Sequence, residues 1–410
     1  MKCRHCGAVL ELPLIDLGTA PPSNAYLARE DLSRPERYFP LRVLVCTGCW
    51  LAQTEDFSQA DELFTAEYAY FSSYSSTWLA HSQRYVAEMV PRYALGERSL
   101  VVEVAANDGY LLQYVQQHGI PCLGIEPTAS TAAAARAKGL AIREEFFGRA
   151  CAGRLRDEGL VADLTVANNV LAHVPDINDF VAGFAQLLAP AGVATFEVPH
   201  LRKLVEGCQF DTIYHEHFSY LSLGAVDTIF SANGLAVFDV EELPTHGGSL
   251  RVHAQRRDTG ARSRMAAVER VLAGEHAVGM HTADWYRGLQ PVAERIAHDL
   301  TAWLIECRRK GVKVGAYGAA AKGNTLLNFA GIHRDLLPWV VDANPAKQGR
   351  FLPGSRIPIV ALDHLVRERP ERVLVLPWNL HVEVTKTLHM MAEWGGTCVR
   401  AIPTLSPRRI

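Results

Sequence analysis

The chain has 410 residues, of which 49% are hydrophobic and 21% charged, and its formal net charge is −3. That apolar content suffices for two or three packed domains. The charges are mixed in sign, without the basic runs of a nucleic-acid or membrane-surface protein, and no stretch approaches the roughly 20 apolar residues that cross a bilayer. With no apolar signal core at the start, a cytoplasmic protein is expected, with no nucleic acid and no membrane among its partners.

The first elements are two C-x-x-C pairs, Cys3 with Cys6 and Cys46 with Cys49. Four thiolates make the soft tetrahedral set that zinc prefers, and a closed sphere of four protein ligands organises a fold without doing chemistry. A redox C-x-x-C is the competing reading, but it leaves the second pair unexplained. Gly7 and Gly48 beside the pairs permit tight knuckle turns. The other five cysteines, Cys122, Cys151, Cys208, Cys307 and Cys398, are scattered singly and read as small buried hydrophobes. Next, residues 61–93 carry Tyr68, Tyr70, Phe71, Tyr74 and Trp78 before a helical run. Dense aromatics read either as a core-facing linker or as a polar-tipped lid over a pocket.

From residue 99 strands and helices alternate, which predicts a parallel sheet wound on both faces, the doubly wound α/β class. The strand SLVVEVAANDG is followed by the helix GYLLQYVQQHG, and the strand PCLGIEP by the helix TASTAAAARAKG. A third strand covers LAIREEFF, a fourth lies in DLTVANNVLAHVPD, a helix runs through INDFVAGFAQLLAPAG, and a last strand is GVATFEVPH. Ligands of such sheets bind at the carboxyl ends of the strands, so the turn containing Glu103, Ala105, Asn107, Asp108 and Gly109 is the expected cofactor site. Asn107 and Gly109 tolerate left-handed backbone and bring main-chain amides close to a ligand. The next strand ends at Glu126 and Pro127, placing a carboxylate about 20 residues on, where it can bind ribose hydroxyls. The turn has one glycine where a dinucleotide fingerprint has three, and Asp108 opposes a pyrophosphate while suiting the cationic amino-acid end of S-adenosylmethionine. Asn168 and Asn169 would close the same pocket, unless they merely form a turn.

The segment Tyr214-His215-Glu216-His217 follows, with His173 from an earlier loop. H-E-H lacks the i, i+4 spacing of a helical metal site. His217 reads better as a proton acceptor oriented by Glu216, with Tyr214 as an oxyanion donor or alternative base; a buried aromatic corner is the plain alternative. Beyond residue 262 come long helices, then a second βα series containing VGAYGAAAKGNT. There Tyr317, Lys322 and Asn324 surround a strand-to-helix turn that could cradle a nucleotide diphosphate, or could simply pack. Read as a nicotinamide turn, the same residues would suggest an NAD(P)-dependent sugar-nucleotide oxidoreductase, and the cysteine module alone a non-catalytic adaptor.

Taken together, the cysteine pairs, YAYFSSYSS, EVAANDG, NNVLAHVPD, FDTIYHEHFSY, THGGSLRV and YGAAAKGNTLLN resemble, in that order and over essentially the whole chain, the S-adenosylmethionine-dependent sugar C-methyltransferases. These methylate a ring carbon of nucleotide-linked 4-keto-6-deoxy sugars of the tetronitrose type. The resemblance implies a zinc-binding domain (1–75), a central class I methyltransferase Rossmann-like domain (76–262) and a C-terminal Rossmann-like domain (263–410) that shares the sugar nucleotide. It implies catalytic roles for Tyr68, His173, Tyr214, Glu216 and His217, and a thymidine diphosphate (dTDP) carrier as the commonest; Tyr70, Tyr74, His246, Tyr317, Lys322 and Asn324 are the expected substrate contacts. The protein is expected to be a monomer or a small homo-oligomer.

Overall fold

The structure is a computed structural model that describes residues 1–55, 57 and 71–409. Strands β1 (Leu12–Ala20), β2 (Phe39–Val45) and β3 (Ala52–Thr54) pair antiparallel in that order beneath the cysteine knuckles. Gly7 takes the left-handed turn expected of it, but at the second knuckle the positive φ falls on Trp50 (+58°) and not on Gly48.

The helix α1 (Ser76–Arg92) leads into the middle sheet, built on β4 (Val101–Val104), β5 (Cys122–Ile125), β6 (Ile142–Arg143), β7 (Ala162–Asn168) and β8 (Leu188–Pro199). Between them run α2 (Leu112–Gln117), α3 (Ala129–Ala137), α4 (Arg149–Asp157) and α5 (Ile177–Leu187). After α6 (Leu201–Glu206) a two-residue strand, β9 (Ser219–Tyr220), leaves this sheet and pairs with β3 of the cysteine module. Helix α7 (Leu223–Ala232) returns the chain to β10 (Leu235–Leu243) and β11 (Ser249–Arg256). The strand order is β10-β11-β8-β7-β4-β5-β6, with β11 antiparallel to both neighbours. One face is sealed by Phe184 of α5, Phe196 of β8 and Phe230 of α7, which pack as tilted rings at successive centroid distances of 4.7 Å. Two elements are shorter than expected. The third strand keeps only Ile142 and Arg143, and α5 stops at Leu187 because Pro190 cannot continue a helix and forces the residue before it into extended backbone.

Helix α8 (Ala266–Ala277) packs on the middle sheet, its Val268 and Val271 joining the core that holds Phe230. Helices α9 (Ala283–Tyr286) and α10 (Leu289–Arg309), the latter with Pro291 in its first turn, cross to the third sheet. That sheet has β12 (Val314–Tyr317), β13 (Val340–Val341), β14 (Ile359–Val360), β15 (Arg372–Val375), β16 (Thr397–Arg400) and β17 (Ser406–Arg409) in the order β14-β13-β12-β15-β16-β17. All its neighbours are parallel except β17. Helices α11 (Ala321–Phe329), α12 (Leu362–Glu368) and α13 (His381–Thr387) cover it. Each α/β sheet therefore reverses its winding once, between β4 and β7 and between β12 and β15, and each reversal opens a crevice at the strand ends.

Candidate active site

The four cysteine thiols come together as one ligand set. Cys3 and Cys49 lie 3.6 Å apart, Cys6 and Cys46 3.5 Å apart, and all four sulfurs lie within 4.8 Å of one another. A zinc–sulfur tetrahedron with bonds of about 2.3 Å has sulfur–sulfur edges of about 3.8 Å, so the residues fit the metal. Gln53 donates an amide hydrogen to Cys3 Sγ at 3.3 Å, the kind of outer-sphere contact that steadies a thiolate ligand.

At the reversal between β4 and β7 the backbone is left-handed at Ala105 (+59°), Asn107 (+49°) and Gly109 (+75°). The Glu126 carboxylate, at the tip of β5, accepts the Asn107 amide at 2.9 Å on one oxygen and the Thr128 amide at 3.0 Å on the other, which also receives the Thr128 hydroxyl. Pro127 lies between these contacts. Glu103 is wholly buried beneath the turn, and burial pushes its pKa far above the usual carboxylate range. Asp108 reaches Lys138 through one oxygen at 3.5 Å; its other oxygen, like the side-chain oxygen of Asn169, is buried without a hydrogen-bond partner among the described residues. Asn168 ends β7 opposite Glu197. The crevice is therefore lined with acceptors, and these fit the ammonium and ribose hydroxyls of S-adenosylmethionine.

The predicted catalytic residues gather where this crevice meets the third sheet. His173 and His217 stand edge to face at 4.6 Å, with Tyr214 4.0 Å from His217. His217 Nδ1 lies 2.8 Å from the Thr212 carbonyl. A carbonyl only accepts, so Nδ1 carries the hydrogen and Nε2 keeps its lone pair. Burial, followed by the neighbouring charges of His173, Lys322 and His246, holds the His217 pKa well below its ordinary value, while burial lowers His173 to about 4. The orienting role expected of Glu216 is filled by Thr212. Two adjacent residues of a tight turn point apart, and the buried Glu216 instead accepts Asn24 Nδ2 at 2.7 Å. His246, with φ +54°, lies 3.2 Å from Asn169 Nδ2 and is lowered to about 4 by burial.

In the third sheet, Lys322 Nζ donates to Asn379 Oδ1 at 2.8 Å and lies 4.8 Å from the centre of the Trp378 ring. Trp378 Nε1 donates to the buried Asp211 at 2.8 Å, and burial pushes that acid up to about 6. Two expected substrate contacts lie elsewhere. Strand parity turns Tyr317 toward the outer core of Val384 and Leu388, away from the face that Ala316 presents to the rest of the protein. Asn324 is fully buried and bonds the Ser23 carbonyl at 3.4 Å, so it fastens the cysteine module to α11. The Gly318–Ala320 turn is also closed to a pyrophosphate. Asp342 takes the Ala319 amide, and both Tyr26 and Lys347 bond the Ala319 carbonyl, which removes the structural basis for a nicotinamide cofactor.

Tyr74 is 66% exposed and packs only its edge against Phe71, so its ring faces solvent and not the histidines. Tyr68 and Tyr70 lie outside the described residues. The sequence reading missed Asn24, Asp211, Trp378 and Asn379, as well as a buried network in which Glu197 accepts His81 at 2.7 Å and Thr245 at 2.8 Å. Among the described residues no helix is long and apolar enough to cross a membrane.

Three family models match in succession: a zinc binding domain over residues 3–64, a methyltransferase domain over 78–240, and a C-methyltransferase C-terminal domain over 244–403. The C-methyltransferase NovU of Streptomyces niveus is 34% identical over 402 residues, covering 98% of this chain and 95% of that one. Among solved structures, the magnesium protoporphyrin IX methyltransferase ChlM of Synechocystis PCC 6803 aligns with 43% of this chain and 83% of its own at 15% identity and a TM-score of 0.35. An S-adenosylmethionine-dependent methyltransferase of Mesorhizobium loti aligns with 43% of this chain and all of its own at 17% identity and a TM-score of 0.34. A near-full-length relative and three successive domain models, met by a four-thiol site and a crevice suited to the methyl donor, establish that this chain belongs to the S-adenosylmethionine-dependent, zinc-binding C-methyltransferases.

Proposed function

We propose that the enzyme methylates C-3' of a nucleotide-linked 4-keto-6-deoxy sugar, carried on thymidine diphosphate. The observation that carries this reading is the His217 ring, fixed through Nδ1 with its lone pair on Nε2, among His173, Tyr214 and Lys322 at the junction of the two crevices. A hydrogen on carbon beside a ketone is acidic only because the enolate moves its charge to oxygen, so the site must remove a proton and stabilise an oxyanion together.

His217 Nε2 takes the C-3' proton, with Tyr214 as the alternative base, and electron density shifts to the 4-oxygen. His173 and the Tyr214 hydroxyl stand beside His217 to receive that charge. S-adenosylmethionine supplies an electrophilic methyl group, which bonds to C-3' as its bond to sulfur breaks and leaves a neutral thioether. The chain's part in that displacement is positioning. The diphosphate is met by the Lys322 ammonium, which Asn379 and the Trp378 ring hold in place, and not by the closed turn amides.

The test uses the whole enzyme, methyl-labelled S-adenosylmethionine and a panel of 4-keto-6-deoxy sugar nucleotides. Label should appear on C-3', and in heavy water with S-adenosylhomocysteine the C-3' hydrogen should exchange. Label at C-5', or on none of the sugars, overturns the assignment.

A further inference from the structure

Trp78 occupies the first turn of α1, where its amide donates to the capping Ser75 hydroxyl. Just before it, the Ser72 amide donates to Asn107 Oδ1 at 2.9 Å, so the start of the helix is tied to the cofactor turn. The half-buried indole meets three rings. It stacks on His81 at 4.9 Å and 21°, and it leans on Tyr110 at 5.8 Å and on His246 at 5.2 Å. Tyr110 directly follows Gly109 on one lip of the crevice. His246 contacts Asn169 on the other. Trp78 therefore bridges the crevice where the methyl donor lies, between the cofactor turn and the histidine cluster.

The ring is also held in place. His81 lies against one face of Trp78, and its Nε2 bonds the wholly buried Glu197, whose other oxygen takes the Thr245 hydroxyl next to His246. One carboxylate thus holds His81 directly and the backbone next to His246 through Thr245. A sulfonium carries a full positive charge but has no N–H or O–H, so it offers oxygen acceptors only weak C–H contacts, whereas an aromatic face attracts it through the ring quadrupole.

We propose that the Trp78 indole faces the sulfonium of S-adenosylmethionine and recognises its charge, making Trp78 a cofactor-binding and methyl-positioning residue. The test compares the affinities of S-adenosylmethionine and the uncharged S-adenosylhomocysteine for the wild type, Trp78→Phe and Trp78→Leu, by calorimetry without sugar nucleotide. In Trp78→Leu the charged ligand should lose about tenfold more affinity than the neutral one, with a smaller loss of selectivity in Trp78→Phe. A purely packing role would weaken both ligands equally, and that result overturns the proposal, as does unchanged binding of both. If Trp78→Leu does not fold, Trp78→Phe decides, because its weaker quadrupole must still lower the charged-to-neutral affinity ratio about twofold or more.

Discussion

The Nδ1 hydrogen of His217 points at the carbonyl of Thr212, five residues earlier and 2.8 Å away. The 3-10 turn Phe210–Thr212 that presents this carbonyl also carries Asp211, the partner of Trp378, so the third sheet and the ring of His217 are fixed by one turn. In His217→Asn the amide can still donate to Thr212, but the Nε2 lone pair is gone. Turnover should fall by about 10²- to 10⁴-fold, the usual worth of a general base, while S-adenosylmethionine binding measured by calorimetry stays unchanged. A larger loss in Tyr214→Phe than in His217→Asn would transfer the base role to Tyr214.

Gly109 tests the cofactor turn. Its φ is +75°, and a Cβ placed there would come within 2.2 Å of Leu140 Cδ1. The leucine can rotate away, but the left-handed backbone costs a non-glycine residue about 1 kcal/mol and pulls the Asn107–Gly109 amides out of place. Gly109→Ala should fold and should bind S-adenosylmethionine about five- to tenfold more weakly, as read by titration. Unaltered affinity would mean that the ligand does not approach this turn.

Local patterns were legible and distant pairings were not. Both C-x-x-C pairs, the strand–helix alternation and the Glu126 carboxylate after the Asn107–Gly109 turn follow from spacing within one or two elements. The contacts that complete the site join residues far apart in the chain, such as Asn24 to Glu216, Trp378 to Asp211 and His81 to Glu197, and no periodicity announces them. Tyr317 shows a second limit. Alternation along β12 separates Val314 and Ala316 from Gly315 and Tyr317, but only the packing of the third sheet decides which pair faces the histidines.

The stability that His173 and His246 contribute should be lost between about pH 6.5 and 4, against an opposite contribution from the buried Asp211. Burial lowers both His173 and His246 from 6.5 to about 4, so within this window the unfolded chain binds protons that the folded chain refuses. Stability contributed by keeping these rings neutral is fully present above 6.5, falls as pH drops, and levels off once the folded state is protonated as well. Urea midpoints measured from pH 7.5 to 4 should show the decline, and the double variant His173→Asn, His246→Asn should make it shallower, the buried His217 supplying part of what remains. An identical slope in the variant would locate the acid sensitivity elsewhere.

Glu275 on α8 is buried, and its carboxylate accepts His200 Nε2 at 2.7 Å, the Leu223 amide at 2.6 Å and the Gly224 amide at 3.0 Å. It caps α7 and ties it to the N-terminus of α6, so its loss leaves two amides and an imidazole buried without an acceptor. Glu275→Ala should cost about 3 kcal/mol, seen as a lowered thermal midpoint, whereas Glu275→Gln keeps one acceptor oxygen and should cost less. Equal midpoints for the two variants would show that the single oxygen kept in Glu275→Gln carries no stability.

The zinc module should matter to catalysis through the backbone of the catalytic turn. Gln53 touches Cys3 Sγ with its side chain and pairs in register with Ser219, while Thr54 donates its hydroxyl to the His217 carbonyl at 3.0 Å and its amide to the Phe218 carbonyl at 3.2 Å. The metal therefore braces β3, and β3 braces the turn that carries Tyr214 and His217. Chelation, or Cys46→Ser, should lower the thermal midpoint and turnover together, because the knuckles lose the metal–sulfur bonds that hold them and open. Among the described residues the cofactor crevice is formed by β4, β5 and β7 and takes no residue from β1–β3, so S-adenosylmethionine affinity should fall far less than turnover. Full activity in a chelated protein shown by metal analysis to be zinc-free would break the link between the cysteines and His217.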